Sequence, residues 1–332
     1  MPSFAPPLAR LLRAYRRTGA DPPFGDPSRY HGSGLEGHFW RFTQPVTGAV
    51  VIVIAAISRD AAGRPWGMAC LAAHPGAAVV TAMAPVAWAG ERRLGLRLHD
   101  GERTLLAAGP NRLEVDLGPR ARLTVELQRP RGWGRRAVGG IGPAQAVPGL
   151  SQYWHPHLLH ATARGDGVLE GRRLALDGAS AYAEKNWGAG GMPQAWWWGQ
   201  AHGFEDDGVC VAFAGGRAGL GPLHVAAGSL VVALPGELLR VVRPLQPLRV
   251  DVGAGHWRLR GRTARDVVDV EGHAAATPPH RLPVPVPAER RVIDAWSEQY
   301  LAGTLQLVVR RGRRVRFRGM SGLAGLEQGR GH

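Results

Sequence analysis

At 332 residues, with 45% hydrophobic and 20% charged residues, the chain has a globular balance that excludes disorder, and it can bury a core as one large domain or two ordinary ones. Its net charge of +15 is carried by arginines scattered singly, with concentrations only at Arg10, Arg13, Arg16 and Arg17 and from Arg310 to Arg318. No recognition-helix, zinc-finger or RNP-type pattern accompanies them, so no nucleic-acid partner is expected, and the two distant cysteines, Cys70 and Cys210, exclude a disulfide framework and a cysteine-based zinc site.

Residues 1–27 read as a basic extension without the apolar h-region and cleavage site of a signal peptide. Within it, LARLLRAYRR (8–17) has the spacing of a short basic amphipathic helix, packed on the domain or touching a membrane surface. The longest apolar run, GAVVIVIAAIS, is about half the length of a membrane span. A soluble, cytoplasmic protein is therefore expected, with peripheral membrane contact left open.

From residue 28 onward, turn signals separate short runs of alternating or continuous apolar character. Leu113, Val115 and Leu117 share one face, as do Leu123, Val125 and Leu127, and TLQLVVRRGRRVRFRG reads as a hairpin turning near Arg311 and Gly312. The 47 glycines and 26 prolines punctuate strands more than they cap helices, which predicts an all-β chain of barrels or sandwiches. The Gly/Pro-rich, aperiodic stretch 128–149 is the expected boundary between a first unit, 28–149, and a second, 150–328. A Pro-rich passage, 275–290, reads as a surface loop inside the second unit.

GSGLEG (32–37) matches the dinucleotide fingerprint, but an aromatic strand follows where a helix is required, so the match is set aside. In QYWHPHLLH, His155 and His157 stand two apart and would share a strand face. A metal site there lacks an obvious third ligand, and a hydrogen-bonded wall is the expected alternative. AEKNWG carries a sharper signal. It holds the single lysine among 41 basic residues and one of two asparagines, beside several tryptophans. On an extended strand, Glu184 and Asn186 face one side, toward a cavity, while Lys185 and Trp187 face the other. A compact ammonium is not exchangeable with a guanidinium in a tight site, so Lys185 is expected either in a buried pair with Asp177 or Glu36 or in chemistry. In Trp196–Trp198, Trp197 must point opposite to its neighbours.

LEGHFWRF (35–42), YWHPHLLHATARGDGVLEGRRLALDGASAYAEKNWG with the following MPQAWWWGQAH, and WSEQYLAGTLQLVV with FRGMSGLAGLE resemble the tocopherol cyclase family. The first block departs from the FEGWYF of plant-type members, with His38 in place of a tryptophan. The resemblance implies two packed lipocalin-like β-barrel units around an apolar hollow. It also implies closure of a prenylated quinol to a chromanol without redox cofactor or metal. Protonating the alkene needs a carboxylic acid raised in pKa by burial, for which Glu184 and Glu36 are the candidates. Trp187 or Trp198 would face the cation, and His155 or His157 would hold or deprotonate the phenol. Lys185 and Asn186 complete the catalytic set, and Trp40, Trp154, Trp196 and Gln200 are the further substrate-binding candidates. The expected partner is an apolar isoprenoid. The alternatives are a non-catalytic lipid binder and a carotenoid-type alkene hydratase.

Overall fold

The computed structural model describes residues 10, 13–17, 21–90, 95–134, 138–189, 195–220, 223–284, 291–293 and 295–330. Residues 8, 9, 11 and 12 of the expected basic helix, residues 192–194 of the tryptophan block and residues 285–290 of the Pro-rich passage lie outside them. Residues 13–16 are helical. Apart from a four-residue helix at Ser28–His31 and a 3-10 turn at Gly142–Ala146, the described chain after residue 20 is strands and turns.

The strands form two antiparallel, nearly closed barrel-like sheets, as the alternation predicts. The first holds β1 (Leu35–Gln44), β2 (Ala49–Arg59), β3 (Pro65–His74), β4 (Val79–Ala84), β5 (Val86–Gly90), β6 (Gly95–His99), β7 (Thr104–Ala108), β8 (Arg112–Asp116), β9 (Ala121–Gly132), β10 (Tyr153–Leu169), β11 (Arg172–Ala175) and β12 (Ala179–Gly188). The second holds β13 (Ala195–Ala201), β14 (Cys210–Leu220), β15 (Leu223–Leu234), β16 (Glu237–Arg243), β17 (Leu248–Gly253), β18 (His256–Arg262), β19 (Asp266–His273), β20 (His280–Pro283), β21 (Trp296–Arg311) and β22 (Arg314–Arg330). Each sheet is a meander that pairs its first strand with its last, β1 with β12 and β13 with β22.

Two sequence expectations change here. Strands β10 to β12, placed by the 149/150 boundary in the second unit, hydrogen-bond into the first sheet, so the change of sheet falls between Gly188 and Ala195. The aperiodic stretch instead begins within β9 and precedes β10, and two of its described residues touch the second sheet, where Ser229 donates to the Gly140 carbonyl and Arg240 to the Trp133 carbonyl. Gly and Pro mark where a strand stops, but they carry no information about which sheet the next strand joins. The Pro-rich passage also contains β20, whose His280 and Leu282 are buried.

The continuous apolar run of β2 is explained by burial of both faces. Val51, Val53, Ala55 and Ile57 point into the first barrel, where Trp40, Phe42, Leu71 and Leu98 join them. Val50, Ile52, Ile54 and Ala56 face outward into a cluster shared with Trp198, Cys210, Ala212 and Val231 of the second sheet. The second barrel is filled in the same way by Phe213, Val232, Trp257, Leu305 and Leu307. Barrel interiors are thus occupied by side chains, and the expected hollow lies elsewhere.

Arg41 ties the sheets together. Its fully buried guanidinium donates to Thr43 Oγ1 (2.6 Å) and Gln200 Oε1 (3.1 Å), and to the Leu301 and Leu323 carbonyls (2.7 Å each). Those carbonyls are free because the β21–β22 register shifts on either side of Gly303. Replacing Arg41 by Met would remove a desolvated charge but strand several acceptors. At about 1–3 kcal/mol for each unsatisfied group, the net effect expected in denaturant unfolding is a loss of about 2 kcal/mol or more.

Candidate active site

Strand β12 carries the site through simple alternation. Ala179, Ala181 and Ala183 pack into the first barrel, so Tyr182, Glu184 and Asn186 project outward toward the second sheet. There they meet β13, whose Trp198 comes from the other side. The resulting cleft lies between the two sheets and has a volume of about 170 Å³. Its walls include Glu184, Asn186, Trp154, Trp196, Trp197 and Trp198, with Glu327 from β22.

Glu184 is 5% exposed. Its Oε2 accepts three hydrogen bonds, from Tyr182 Oη (2.5 Å), Trp154 Nε1 (2.8 Å) and Trp198 Nε1 (2.9 Å). Burial raises the Glu184 pKa to about 7, and the nearby Glu327 adds to the shift, outweighing the three donors that favour the anion. With every donor on Oε2, the proton of the neutral acid sits on Oε1. At neutral pH a large fraction of Glu184 is therefore a protonated acid on the wall of a cleft with four tryptophans.

Glu327 is the functional candidate that sequence reasoning missed. It accepts from Trp196 Nε1 (2.7 Å) and Gln299 Nε2 (3.0 Å), and burial raises its pKa as well. Its signal was available, a lone acid inside the apolar SGLAGLE, and resembles the one that singled out Glu184. Three carboxamide oxygens on the cleft wall, Gln152 Oε1, Asn186 Oδ1 and Gln299 Oε1, have no hydrogen-bond partner. Buried acceptors of this kind favour a ligand that brings donors.

The other candidates are placed differently. Glu36 stands in a buried ion pair. Its Oε1 lies 3.2 Å from Lys185 Nζ and 2.9 Å from His38 Nε2. Burial alone would raise the carboxyl, but the ammonium and the imidazole hold it below its usual value, ionised at neutral pH. Lys185 is fully buried and donates to the Gly25 carbonyl (2.5 Å) and weakly to that of Pro22 (3.5 Å), so the lone lysine closes a buried pair and anchors the chain that enters β1. Glu36 is its partner, whereas Asp177 binds the Gly165 amide. Trp187 is away from the cleft, stacked on Tyr153 (5.2 Å, 7°) with Nε1 donating to His31 Nδ1 (2.9 Å). Trp40 lies in the first barrel core, and Gln200 is fully buried in the Arg41 network. His155 and His157 do share a face, as expected, but it opens into a different cavity.

Trp154, Trp196 and Trp198 remain on the cleft. Trp197 packs against the second barrel core, over Gly215 and Gly228, where a Cβ would come within 2.2 and 2.6 Å of its ring. Among the described residues, no group of three His, Cys, Asp or Glu could hold a metal ion, and no helix is long and apolar enough to cross a membrane.

The family model described as tocopherol cyclase-like matches residues 110–330, more than half of the chain. The chain is 28% identical over 148 residues to a probable chloroplastic tocopherol cyclase of Oryza sativa subsp. japonica, a match covering 42% of this chain and 31% of that protein. It is 27% identical over 152 residues to a chloroplastic tocopherol cyclase of Zea mays, covering 43% and 32%. The matches thus span about a third of the length of these curated relatives. In fold, the chain is similar to a Nitrosomonas europaea protein provisionally assigned as AttH, with a TM-score of 0.51, 15% identity, and 88% and 92% of the two chains covered.

Proposed function

The chain belongs to the tocopherol cyclase-like family, and from that membership and the acid of the inter-sheet cleft we propose that it closes a prenylated quinol to a chromanol. The observation that carries the proposal is Glu184, a carboxyl with a pKa of about 7 on the wall of a cleft that four tryptophans also line. Its Oε1 proton passes to the less substituted carbon of the prenyl double bond and leaves a tertiary carbocation. Indole faces of Trp154 and Trp198 stabilise that charge by about 0.5–2 kcal/mol each. The phenolic oxygen then forms the C–O bond, and the proton it loses restores the acid. Atoms balance as an isomerisation.

The unpartnered acceptors fit this substrate, because a quinol brings two hydroxyl donors. Size is consistent with the reacting end only. A void of roughly 150 Å³ holds one benzene ring, so a cleft of about 170 Å³ takes the aromatic ring, and the prenyl chain extends from its mouth. Asn186→Ala is expected to weaken quinol binding about tenfold by loss of one hydrogen bond. Its unfolding midpoint should stay nearly unchanged, since Asn186 Oδ1 has no protein partner to lose.

Incubation of the purified chain with dimethyl-phytyl-benzoquinol tests the reaction by product mass. A chromanol of unchanged mass supports cyclisation. A gain of one water would replace it with hydration, and substrate recovered unchanged from a saturated complex would reduce the chain to a binder.

A further inference from the structure

Strand β10 borders two cavities. Trp154 enters the acid cleft, whereas His155 and His157 line a separate cavity of about 510 Å³ beneath the N-terminal helical turn. Arg13, Arg16, Arg17 and Asp21 form its other polar walls. The cyclisation as proposed uses none of these groups.

The charge and hydrogen-bond inventory of this cavity is unbalanced. Three arginines and one aspartate line it. Asp21 Oδ1 accepts from Tyr15 Oη (3.0 Å), while its Oδ2 has no partner. His155 is 5% exposed, yet its Nδ1 is unpartnered, as is Nε2 of His157. Burial, with Lys185 and Arg16 nearby, lowers His155 to about 3, and burial with His155 beside it keeps His157 well below its usual value. Both rings are neutral and can turn one N–H each toward a ligand. Leaving buried polar atoms unmatched costs stability, and an anion with several acceptor oxygens would match them.

We propose that this cavity binds a phosphate monoester group. Its oxygens accept from the two imidazoles and from the arginines, whose charge-assisted bonds are the stronger ones. In its singly protonated form it also supplies the donor that Asp21 Oδ2 lacks. The group can come from a soluble phosphomonoester or from the headgroup of a phosphatidic-acid-type lipid, which would seat the basic N-terminal turn on a bilayer.

The test uses the full chain in two arms. Calorimetric titration with inorganic phosphate and glycerol 3-phosphate reads the soluble source. Flotation with phosphatidylcholine vesicles, with and without phosphatidic acid, reads the lipid source. Binding in the first arm assigns a soluble ligand, and binding only to vesicles containing phosphatidic acid assigns the headgroup. In either case Arg13→Gln with Arg17→Gln should weaken binding about tenfold or more. Arg313→Gln with Arg314→Gln, which removes the same charge from an exposed turn, should change it less than about twofold. No binding in either arm, or equal weakening by both pairs, would overturn the proposal.

Discussion

Glu184→Gln is expected to lower quinol turnover by about two to four orders of magnitude, the usual contribution of a positioned general acid. The amide oxygen can still accept from Tyr182, Trp154 and Trp198, so the cleft keeps its shape and ligand binding should persist. Steady-state kinetics with a parallel binding titration separates the two effects, and turnover within tenfold of the parent would remove Glu184 from the mechanism. The wild-type rate should be flat below pH 7 and fall about tenfold per unit above it, because only the protonated acid is competent. The stability linkage has a matching sign. Glu184 titrates higher in the folded chain than its ordinary 4.5, so the folded state holds the proton more tightly. That contribution is fully present below pH 4.5 and is lost as pH rises through about 7, and at 1.36 kcal/mol per unit it amounts to roughly 3 kcal/mol. Glu184→Gln should therefore flatten the decline in stability between those pH values.

Lys185→Met is expected to cost about 3–5 kcal/mol of stability, read from denaturant unfolding, because it leaves Glu36 buried and uncompensated. Coupling to Glu36→Gln should recover a large part of the loss, since the double variant no longer buries a lone charge. Lys185→Arg should also destabilise. The ammonium sits between Glu36 and the Gly25 carbonyl, where a planar fork with five donors cannot fit without displacing the entering chain. A single-variant cost under about 1 kcal/mol would contradict the pair's role. The buried pair with Glu36 gives a physical reason for a lysine here among so many arginines.

Which residues face the candidate cleft was legible in part from strand alternation. Period two put Glu184 and Asn186 on one face and Lys185 on the other, and the chemistry implied by the family resemblance called for a carboxyl raised by burial. The same reasoning could not separate Glu36 from Glu184, since both are buried glutamates in apolar strands. Only the partner differs: Lys185 reaches Glu36 through the β1–β12 pairing, while Glu184 receives neutral donors from β10, β12 and β13. Trp187 and Trp198 were equivalent as indoles, and the face each occupies divides them.

What the chain determines by itself is local: strands, turns, which residues share a face, and the absence of a helical core. Where the cavity lies was settled in three dimensions. Barrel interiors are filled by their own Leu, Val and Ala, so the acid cleft opens where the sheets meet, and Glu327 joined Glu184 there through the pairing of β13 with β22, across more than a hundred residues of sequence. Alternation repeats every two residues and is written in neighbours, whereas sheet membership depends on hydrogen bonds between distant segments, whose register no short stretch encodes.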